Sequence, residues 1–367
     1  MSKWTMPIKF LKHTINICAY IICLQVVVSQ FDWINWDKKA KSENKCKDLK
    51  SLVKKSEEIF NTKAEFVARF DGEECKSKRT DTPMYLASVS KHLTAFAINN
   101  LIEEKVITRE DKICKLLEFE NCNKFTGSIS VEELLTHTSG LGRISDSWWK
   151  DLMIHRLFLY RSPETQVDDI LTQSQRHKIG TFVYSNSGYR LLAFFVDRYL
   201  KEKNLTWEAY FEKKGLNSFT LSTKQSPYLA GQANFAFPLY PKKYFSINGN
   251  GPFFEGTNSF GSGNYITSAK SLYDWQNKNV AFLLDRGEGD GFKKYYNGIV
   301  ESEVDGQRIL WHNGATSFSQ TLFMMNRKSR DQLVILFNSN SLDDSRKKVT
   351  KEIRNLFSNK EYLEPID

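Results

Sequence analysis

The sequence lacks the residue patterns that mark several common kinds of functional site. Its 367 residues contain only six cysteines, and neither C-x-x-C nor H-E-x-x-H occurs. A zinc site therefore has little support, and we expect no metal and no cofactor. The pattern G-x-S-x-G is also absent, which disfavours the α/β-hydrolase arrangement as the source of a reactive serine.

Long apolar runs are scarce as well. Only residues 15–28 form one, and Lys3, Lys9 and Lys12 precede it. This order is typical of a secretory signal peptide, predicted here over residues 1–29, with an uncleaved N-terminal anchor as the alternative. Because a membrane span needs about 20 apolar residues, we expect no stable span after signal removal. The protein is predicted to be secreted or periplasmic, or membrane-anchored if the segment is retained.

Charge and composition exclude two further classes of protein. Hydrophobic residues make up 41% of the chain and charged residues 26%, which is typical of a globular protein and argues against disorder across the whole length. The formal net charge is +9, and many lysines cluster at residues 38–55. Such a cluster is more often a solvated face than a nucleic-acid site, so we expect no nucleic-acid partner.

Four cysteines remain after the predicted signal peptide: Cys46, Cys75, Cys114 and Cys122. An even number in an exported chain indicates two disulfides. The pairing Cys46–Cys75 with Cys114–Cys122 is one of three possible pairings. Four free, buried thiols are the alternative to any disulfide.

The alternation of apolar and polar residues predicts strands near both ends of the chain and helices between them. Such an order favours a discontinuous α/β domain, residues 46–108 and 255–367, with an inserted helical domain at 109–254. An irregular segment, residues 30–45, precedes them. Predicted strands cover 64–70, 308–311, 320–325 and 332–337, and predicted helices cover 46–62, 88–103, 131–135, 146–158, 164–172, 188–201, 206–213, 269–284 and 343–358.

Ser88 and Lys91 form a Ser-x-x-Lys motif at the head of a predicted helix, residues 88–103. The i, i+3 spacing places both side chains on one face. A neutral amine beside a hydroxyl can take its proton, and a lysine is neutral near pH 7 only when burial or another cation lowers its pKa. The motif alone is weak evidence, because serine and lysine meet at this spacing by chance in many helices.

Two further stretches carry groups suited to the same chemistry. Tyr184 and Asn186 lie on a loop before a helix, where a tyrosinate can act as a base and an amide can hold a substrate. His312 ends an apolar strand and is followed by Asn313, Gly314 and Ala315, where the glycine leaves room for a substrate backbone. Taken singly, Tyr184 is more often a core residue and His312 a surface histidine.

Together these motifs resemble the serine β-lactamase and penicillin-binding-protein family, whose nucleophile motif is Ser-x-x-Lys. The resemblance is closest to the branch of class C β-lactamases, D-alanyl-D-alanine carboxypeptidases and related esterases, and it covers about residues 50–345. Tyr184-Ser185-Asn186 matches the Tyr-x-Asn motif and His312-Asn313-Gly314 the Lys/His-x-Gly motif. Residues 131–141 and 261–268 resemble flanking family signatures.

This resemblance implies an α/β (α+β) fold of the β-lactamase/transpeptidase type. In that fold an antiparallel sheet is flanked by N- and C-terminal helices, and a mostly helical domain is inserted. It also implies site roles: Ser88 is the acylated nucleophile, Lys91 and Tyr184 transfer protons, and Asn186 positions substrate with His312 and Gly314. The N–H groups of Ser88 and Ala315 would form the oxyanion hole. His137, by the same resemblance, is structural.

This sequence departs from the family pattern at His312, where many members have lysine. A histidine is charged only part of the time, which puts strong β-lactam hydrolysis and strict carboxypeptidase action in doubt. We therefore expect an extracytoplasmic serine hydrolase acting through an acyl-enzyme on an amide, peptide, β-lactam or ester. The partner is a small-molecule or peptide substrate, including peptidoglycan stem peptides. The alternative is a catalytically inactive relative that binds cell-wall peptide or a protein partner.

Overall fold

A computed structural model describes most of the region in which the sequence motifs lie. It describes residues 45–60, 62–70, 72–120, 122–142, 161–221, 257–279, 281–282, 293–304, 306–316, 319–338 and 352–353. The predicted signal peptide, the helix predicted at 146–158 and nearly all of the helix predicted at 343–358 lie outside the described residues.

The described helices follow the predicted ones closely. In chain order they are α1 (Lys45–Phe60), α2 (Ser90–Glu103), α3 (Ile113–Leu117), α4 (Val131–Leu135), α5 (Pro163–Leu171), α6 (Asn186–Glu202), α7 (Trp207–Lys213) and α8 (Ala269–Lys278). Their starts reflect side-chain capping: Ser130, Ser162, Ser185, Thr206 and Ser268 each accept a hydrogen bond from a backbone N–H in the first turn. The helix predicted at 269–284 is described without a break only as far as Lys278.

The strands form two antiparallel sheets in the described part of the chain. In chain order they are β1 (Ala64–Phe70), β2 (Glu73–Lys76), β3 (Met84–Tyr85), β4 (Thr220–Leu221), β5 (Tyr265–Thr267), β6 (Lys293–Tyr296), β7 (Ile299–Val304), β8 (Gln307–Ala315), β9 (Gln320–Asn326) and β10 (Gln332–Phe337). The larger sheet has the order β2-β1-β10-β9-β8-β7-β6, and the smaller has the order β3-β5-β4.

The larger sheet brings together strands from both ends of the chain. β1 pairs with β10, with Val67 opposite Val334, so the first strand lies beside the last described one. Every residue of β9 and β10 is buried. A strand covered on both faces has no solvent-exposed side, which explains why β10 reads as an almost unbroken apolar run. The predicted α/β fold with an antiparallel sheet is confirmed.

The hairpin β6–β7 was not predicted from the sequence, although its turn carries a strong signal. Asn297 has φ 48° and Gly298 has φ 74°, the two positive values that a type I′ hairpin turn requires. A Cβ at Gly298 would lie 2.5 Å from the backbone nitrogen of His92, so the turn packs directly on the start of α2. Asn99 of α2 also donates a hydrogen bond to the Asn297 side chain, at 3.0 Å.

Two disulfides join the four cysteines in the predicted pairing. Cys46 is bonded to Cys75, which ties α1 to β2, and Cys114 is bonded to Cys122. Within the described residues, no helix has the length and apolar character needed to cross a bilayer. The division into an α/β domain and an inserted helical domain remains a prediction.

The two disulfides should differ in how much they stabilise the fold. Cys46–Cys75 spans 29 positions and Cys114–Cys122 spans 8. Loop-closure entropy then gives the longer bridge about 3.5 kcal/mol and the shorter about 2.5 kcal/mol. We expect the Cys46→Ser/Cys75→Ser variant to lose more free energy of unfolding than the Cys114→Ser/Cys122→Ser variant, as measured by denaturant titration. The reverse order would show that native contacts, rather than loop length, decide the effect.

Candidate active site

Ser88 lies in a short 3₁₀ turn, Ala87–Val89, immediately before α2. The helix begins at Ser90, so the prediction that Ser88 is part of the α-helix is wrong. The turn is built around Ala87, a buried residue with φ 45°. A positive φ is rare for alanine and costs of the order of 1–3 kcal/mol, so it persists only where the surroundings impose it. The Ser88 side chain remains partly exposed, as a group that meets substrate must be.

Lys91 lies beside the Ser88 hydroxyl in the interior of the protein. Its Nζ is 3.1 Å from Ser88 Oγ and donates a second hydrogen bond to the carbonyl oxygen of Ser262, at 2.9 Å. The lysine side chain has no exposed surface. Ser262 belongs to the 261–268 stretch, so this stretch positions Lys91 by accepting a hydrogen bond from its Nζ.

Tyr184 contacts both members of this pair. It is hydrogen-bonded to the Ser88 side chain, and its ring centroid lies 5.0 Å from Lys91 Nζ. Burial raises the pKa of the Tyr184 phenol well above its ordinary value, and the hydrogen bond to Ser88 offsets only part of that rise. The resting group is therefore a neutral phenol that can donate or relay a proton, rather than the tyrosinate considered from the sequence.

The Tyr184 loop is held in place by the segment around His137. The Val183 N–H donates to the His137 carbonyl oxygen at 2.9 Å, and the Ser185 N–H donates to His137 Nδ1 at 3.2 Å. The His137 ring is 2% exposed and lies 4.4 Å from the Tyr184 ring, centroid to centroid. Burial, with smaller contributions from the nearby Lys91 and His312, lowers the His137 pKa well below its ordinary value. His137 is thus a neutral residue that supports Tyr184.

Asn186 is the first residue of α6, directly after the Ser185 cap. Its Oδ1 atom is buried and has no hydrogen-bond partner among the described residues. A buried amide oxygen without a donor is unusual, because leaving one unpaired costs free energy. The atom is therefore suited to accept a hydrogen bond from a bound molecule.

Strand β8 brings Gly314 against the Ser88 turn. A Cβ at Gly314 would lie 2.5 Å from the carbonyl oxygen of Leu86 and 2.9 Å from the backbone nitrogen of Ser88. Only glycine permits this approach. Thr321, opposite Gly314 on β9, donates a hydrogen bond to the same Leu86 oxygen at 2.6 Å. The neighbouring Ala315 is exposed at the strand end.

His312 also lies on β8 but is buried rather than on the surface, at 1% exposure. Its ring centroid is 6.2 Å from that of Tyr184. Its Nε2 is 3.1 Å from the Tyr295 hydroxyl, and its Nδ1 is 2.6 Å from the carbonyl oxygen of Asn313. The histidine therefore belongs to the same cluster as Ser88 and Tyr184, through the Tyr184 ring.

The structure adds groups that the sequence motifs do not contain. Tyr295 and Tyr189 surround the His137 ring together with Tyr184, with centroid distances of 4.3 Å for Tyr295 and 5.1 Å for Tyr189. Their sequence signal is faint: Tyr295 precedes the Asn297-Gly298 turn, and Tyr189 follows the Tyr-x-Asn motif. Over the residues that the structure describes, no cluster of His, Cys, Asp and Glu has the composition of a metal site.

The comparisons with known proteins agree on the fold. The family model described as Beta-lactamase matches residues 67–356. A penicillin-binding protein homologue from Pyrococcus abyssi is 18% identical, with a TM-score of 0.63 over 85% of this chain and 77% of that one. A β-lactamase/D-alanine carboxypeptidase from Pseudomonas syringae is 15% identical, with a TM-score of 0.60 over 84% and 99%.

A third solved structure, a D-amino acid amidase from Ochrobactrum anthropi complexed with L-phenylalanine, is 13% identical, with a TM-score of 0.66. That match covers 87% of this chain and 99% of the amidase. None of the curated proteins matches the sequence. Identities this low establish the fold alone, but the family model covers most of the chain. The protein therefore belongs to the Beta-lactamase family, whose members share this fold and are generally serine hydrolases.

Proposed function

We propose that this protein is an extracytoplasmic serine hydrolase that works through an acyl-enzyme on Ser88. The observation that supports it most strongly is the convergence on one hydroxyl. Ser88 Oγ contacts Lys91 Nζ at 3.1 Å and is hydrogen-bonded to Tyr184, while Gly314 brings β8 against the Ser88 backbone nitrogen. A nucleophile, two proton carriers and a nearby strand edge are the parts that acyl transfer needs.

In the proposed acylation, Ser88 Oγ attacks the substrate carbonyl carbon and its proton passes to Lys91, with Tyr184 as the second carrier. The N–H groups of Ser88 and Ala315 stabilise the negative oxygen of the tetrahedral intermediate. The leaving group departs with a proton returned through Tyr184. A water molecule then attacks the Ser88 ester, and the same two side chains move its protons as the acid is released.

The buried setting supports these roles on physical grounds. The Lys91 amine donates to Ser88 Oγ and to the Ser262 carbonyl oxygen, and these two bonds hold it beside the nucleophile. Because Tyr184 is a neutral phenol, it can donate to the leaving group without first taking up a proton. The unpartnered Oδ1 of Asn186 offers an acceptor for the N–H of a bound amide.

The substrate class is an amide, peptide, β-lactam or ester, with cell-wall peptides among the candidates. Similar structures include a carboxypeptidase and an amidase complexed with an amino acid, which supports small carbonyl substrates. Two disulfides and the apolar N-terminal run support a protein secreted or periplasmic in an oxidising compartment. A hydrolysis panel of a D-Ala-D-Ala peptide, nitrocefin and a p-nitrophenyl ester would distinguish among the substrates.

We expect a fluorophosphonate or penicillin-type probe to label Ser88 and an activated ester to give a burst of product. Ser88→Ala should abolish both, because no other hydroxyl takes the place of the nucleophile. Intact-mass spectrometry and stopped-flow absorbance measure the two effects. The matched control is Ser128→Ala, which removes an exposed hydroxyl that donates to the Phe125 carbonyl oxygen. A wild-type protein that neither labels nor bursts would favour the non-catalytic, peptide-binding relative.

Gly314→Ala tests whether β8 must lie against the nucleophile. The added Cβ would collide with the Leu86 oxygen and the Ser88 nitrogen, displacing one proposed oxyanion donor. We expect kcat to fall about 10²- to 10³-fold, the usual cost of losing one such donor. Overpacking should lower the free energy of unfolding by about 1–3 kcal/mol.

Gly127→Ala is the matched control, because a Cβ at Gly127 meets nothing within 4 Å. It should leave ester hydrolysis and the unfolding midpoint nearly unchanged. Full activity in the Gly314→Ala variant would exclude the proposed arrangement of Ser88 and β8.

A further inference from the structure

The turn that joins α6 to α7 carries an Asn-x-Ser/Thr motif that the hydrolase chemistry does not use. The motif is Asn204-Leu205-Thr206, and no other Asn-x-Ser/Thr occurs in the sequence. Its middle residue is leucine, which satisfies the requirement that this residue is not proline. In an exported protein the pattern marks an asparagine that accepts a glycan, a bulky group that only the surface can carry. The surroundings of Asn204 therefore decide whether the fold can hold one.

The backbone of the turn is anchored, whereas the Asn204 side chain lies on the surface. Asn204 is exposed and has φ 54°, a left-handed conformation that asparagine tolerates better than most residues. Its N–H donates to the Lys201 carbonyl oxygen at 3.0 Å, and the Leu205 N–H donates to the Leu200 carbonyl oxygen at 2.8 Å. The Leu205 side chain packs against the hydrophobic core. The turn is thus a fixed support for a group attached to Asn204.

The folded protein does not use the amide of Asn204. Within the part of the chain that the structure describes, the Asn204 side chain forms no hydrogen bond or ion pair. The buried Asn99, by contrast, donates through its Nδ2 to Asn297 and to the Ala95 carbonyl oxygen. A sugar attached to Asn204 Nδ2 therefore breaks no contact of the described fold.

Thr206, the third residue of the motif, has a structural role that can be separated from the motif. Its Oγ1 accepts a hydrogen bond from the Ala209 N–H at 3.2 Å and so caps α7. Aspartate also caps a helix start well but does not complete the motif, whereas serine does both. Substitutions at Thr206 can therefore remove the motif while they keep the cap.

The turn lies at the opposite end of α6 from the candidate active site. Asn186, which belongs to that site, is the first residue of α6, and the helix ends at Glu202 after 17 residues. At a rise of 1.5 Å per residue, the two ends of the helix are about 25 Å apart. A glycan on Asn204 would therefore be attached far from Ser88.

We propose that Asn204 is an N-glycosylation site, modified during export by a transferase that uses a polyprenyl-diphosphate-linked sugar. Asn204 Nδ2 forms a bond to the anomeric carbon of the sugar while the bond from that carbon to the diphosphate oxygen breaks. The diphosphate leaves with the electron pair, and the amide nitrogen loses one proton. The proposal rests on the export stated in the proposed function, and not on hydrolysis.

Both routes of export considered from the sequence bring Asn204 to the compartment in which such a transferase acts. Lys3, Lys9 and Lys12 precede the apolar run, and basic residues beside an apolar segment stay on the cytoplasmic side. The chain after the run is then exported, whether the signal is cleaved or retained. The two disulfides agree with an oxidising compartment.

Expression of the full-length chain in a eukaryotic secretory cell line tests the site. We expect intact-mass spectrometry to show one N-glycan on the wild type, and a peptide N-glycosidase to remove it and leave aspartate in place of Asn204. Asn204→Asp should carry no glycan and keep the turn, because aspartate also tolerates a left-handed conformation. Exported wild-type protein without a glycan would overturn the proposal. Unmodified protein that protease protection places in the cytosol would overturn the export as well.

Two variants of Thr206 distinguish loss of the motif from loss of the cap. Thr206→Ser keeps the hydroxyl, so it should keep both the glycan and the unfolding midpoint. Thr206→Asp keeps a capping oxygen but breaks the motif, so it should lose the glycan with the midpoint of the deglycosylated protein nearly unchanged. A glycan that persists in Thr206→Asp would show that another residue carries it and would contradict the assignment.

Labelling of Ser88 tests whether the glycan lies away from the active site. We expect a fluorophosphonate probe to label the glycosylated wild type and Asn204→Asp at the same rate. Slower labelling of the glycosylated form would contradict the remote position. If neither protein is labelled but the glycan is present, the proposed hydrolase function fails and the glycosylation site stands.

Discussion

The contact on which the rest of the site depends is the approach of β8 to the turn that carries Ser88. At Gly314 the strand lies so close that a single methyl group would overlap the Leu86 oxygen and crowd the Ser88 nitrogen. This approach explains why Ala87 keeps a positive φ in the interior, since the turn is pressed between the sheet and α2. The strand, the turn and Thr321 form one rigid unit, and a nucleophile on such a unit needs little reorganisation.

Around that contact, polar side chains are buried in a way that sets their proton content. Lys91 has no exposed surface and is fixed by two oxygen acceptors. Tyr184 is kept as a neutral phenol by burial, and burial likewise lowers the pKa of His137 so that its ring is neutral. In a region of low dielectric constant, each group's protonation depends on its immediate donors and acceptors rather than on bulk pH.

The sequence predicted the fold well, because strands and helices follow from local patterns, whereas the disulfide pairing was one of three that the sequence left open. β1 and β10 match their predicted bounds, since apolar residues and turn signals delimit them clearly. The hairpin β6–β7 was missed because Lys293 and Lys294 make its first strand look polar, although the Asn297-Gly298 turn signal was present. The helix was predicted to begin at Ser88, two residues before α2 begins at Ser90, because the helical pattern does not show a 3₁₀ start.

The sequence by itself determined the family, the three motifs and their order, because these are properties of residue type and spacing along the chain. Tertiary structure alone decided which groups surround those motifs. Tyr189 and Tyr295 lie in different elements, and only the packing of β6 and α6 around His137 joins them to His312. Hydrogen-bond direction, burial and charge depend on atoms that are distant in sequence. The burial of His312, a residue type more often found at the surface, was therefore decided by its neighbours in the fold.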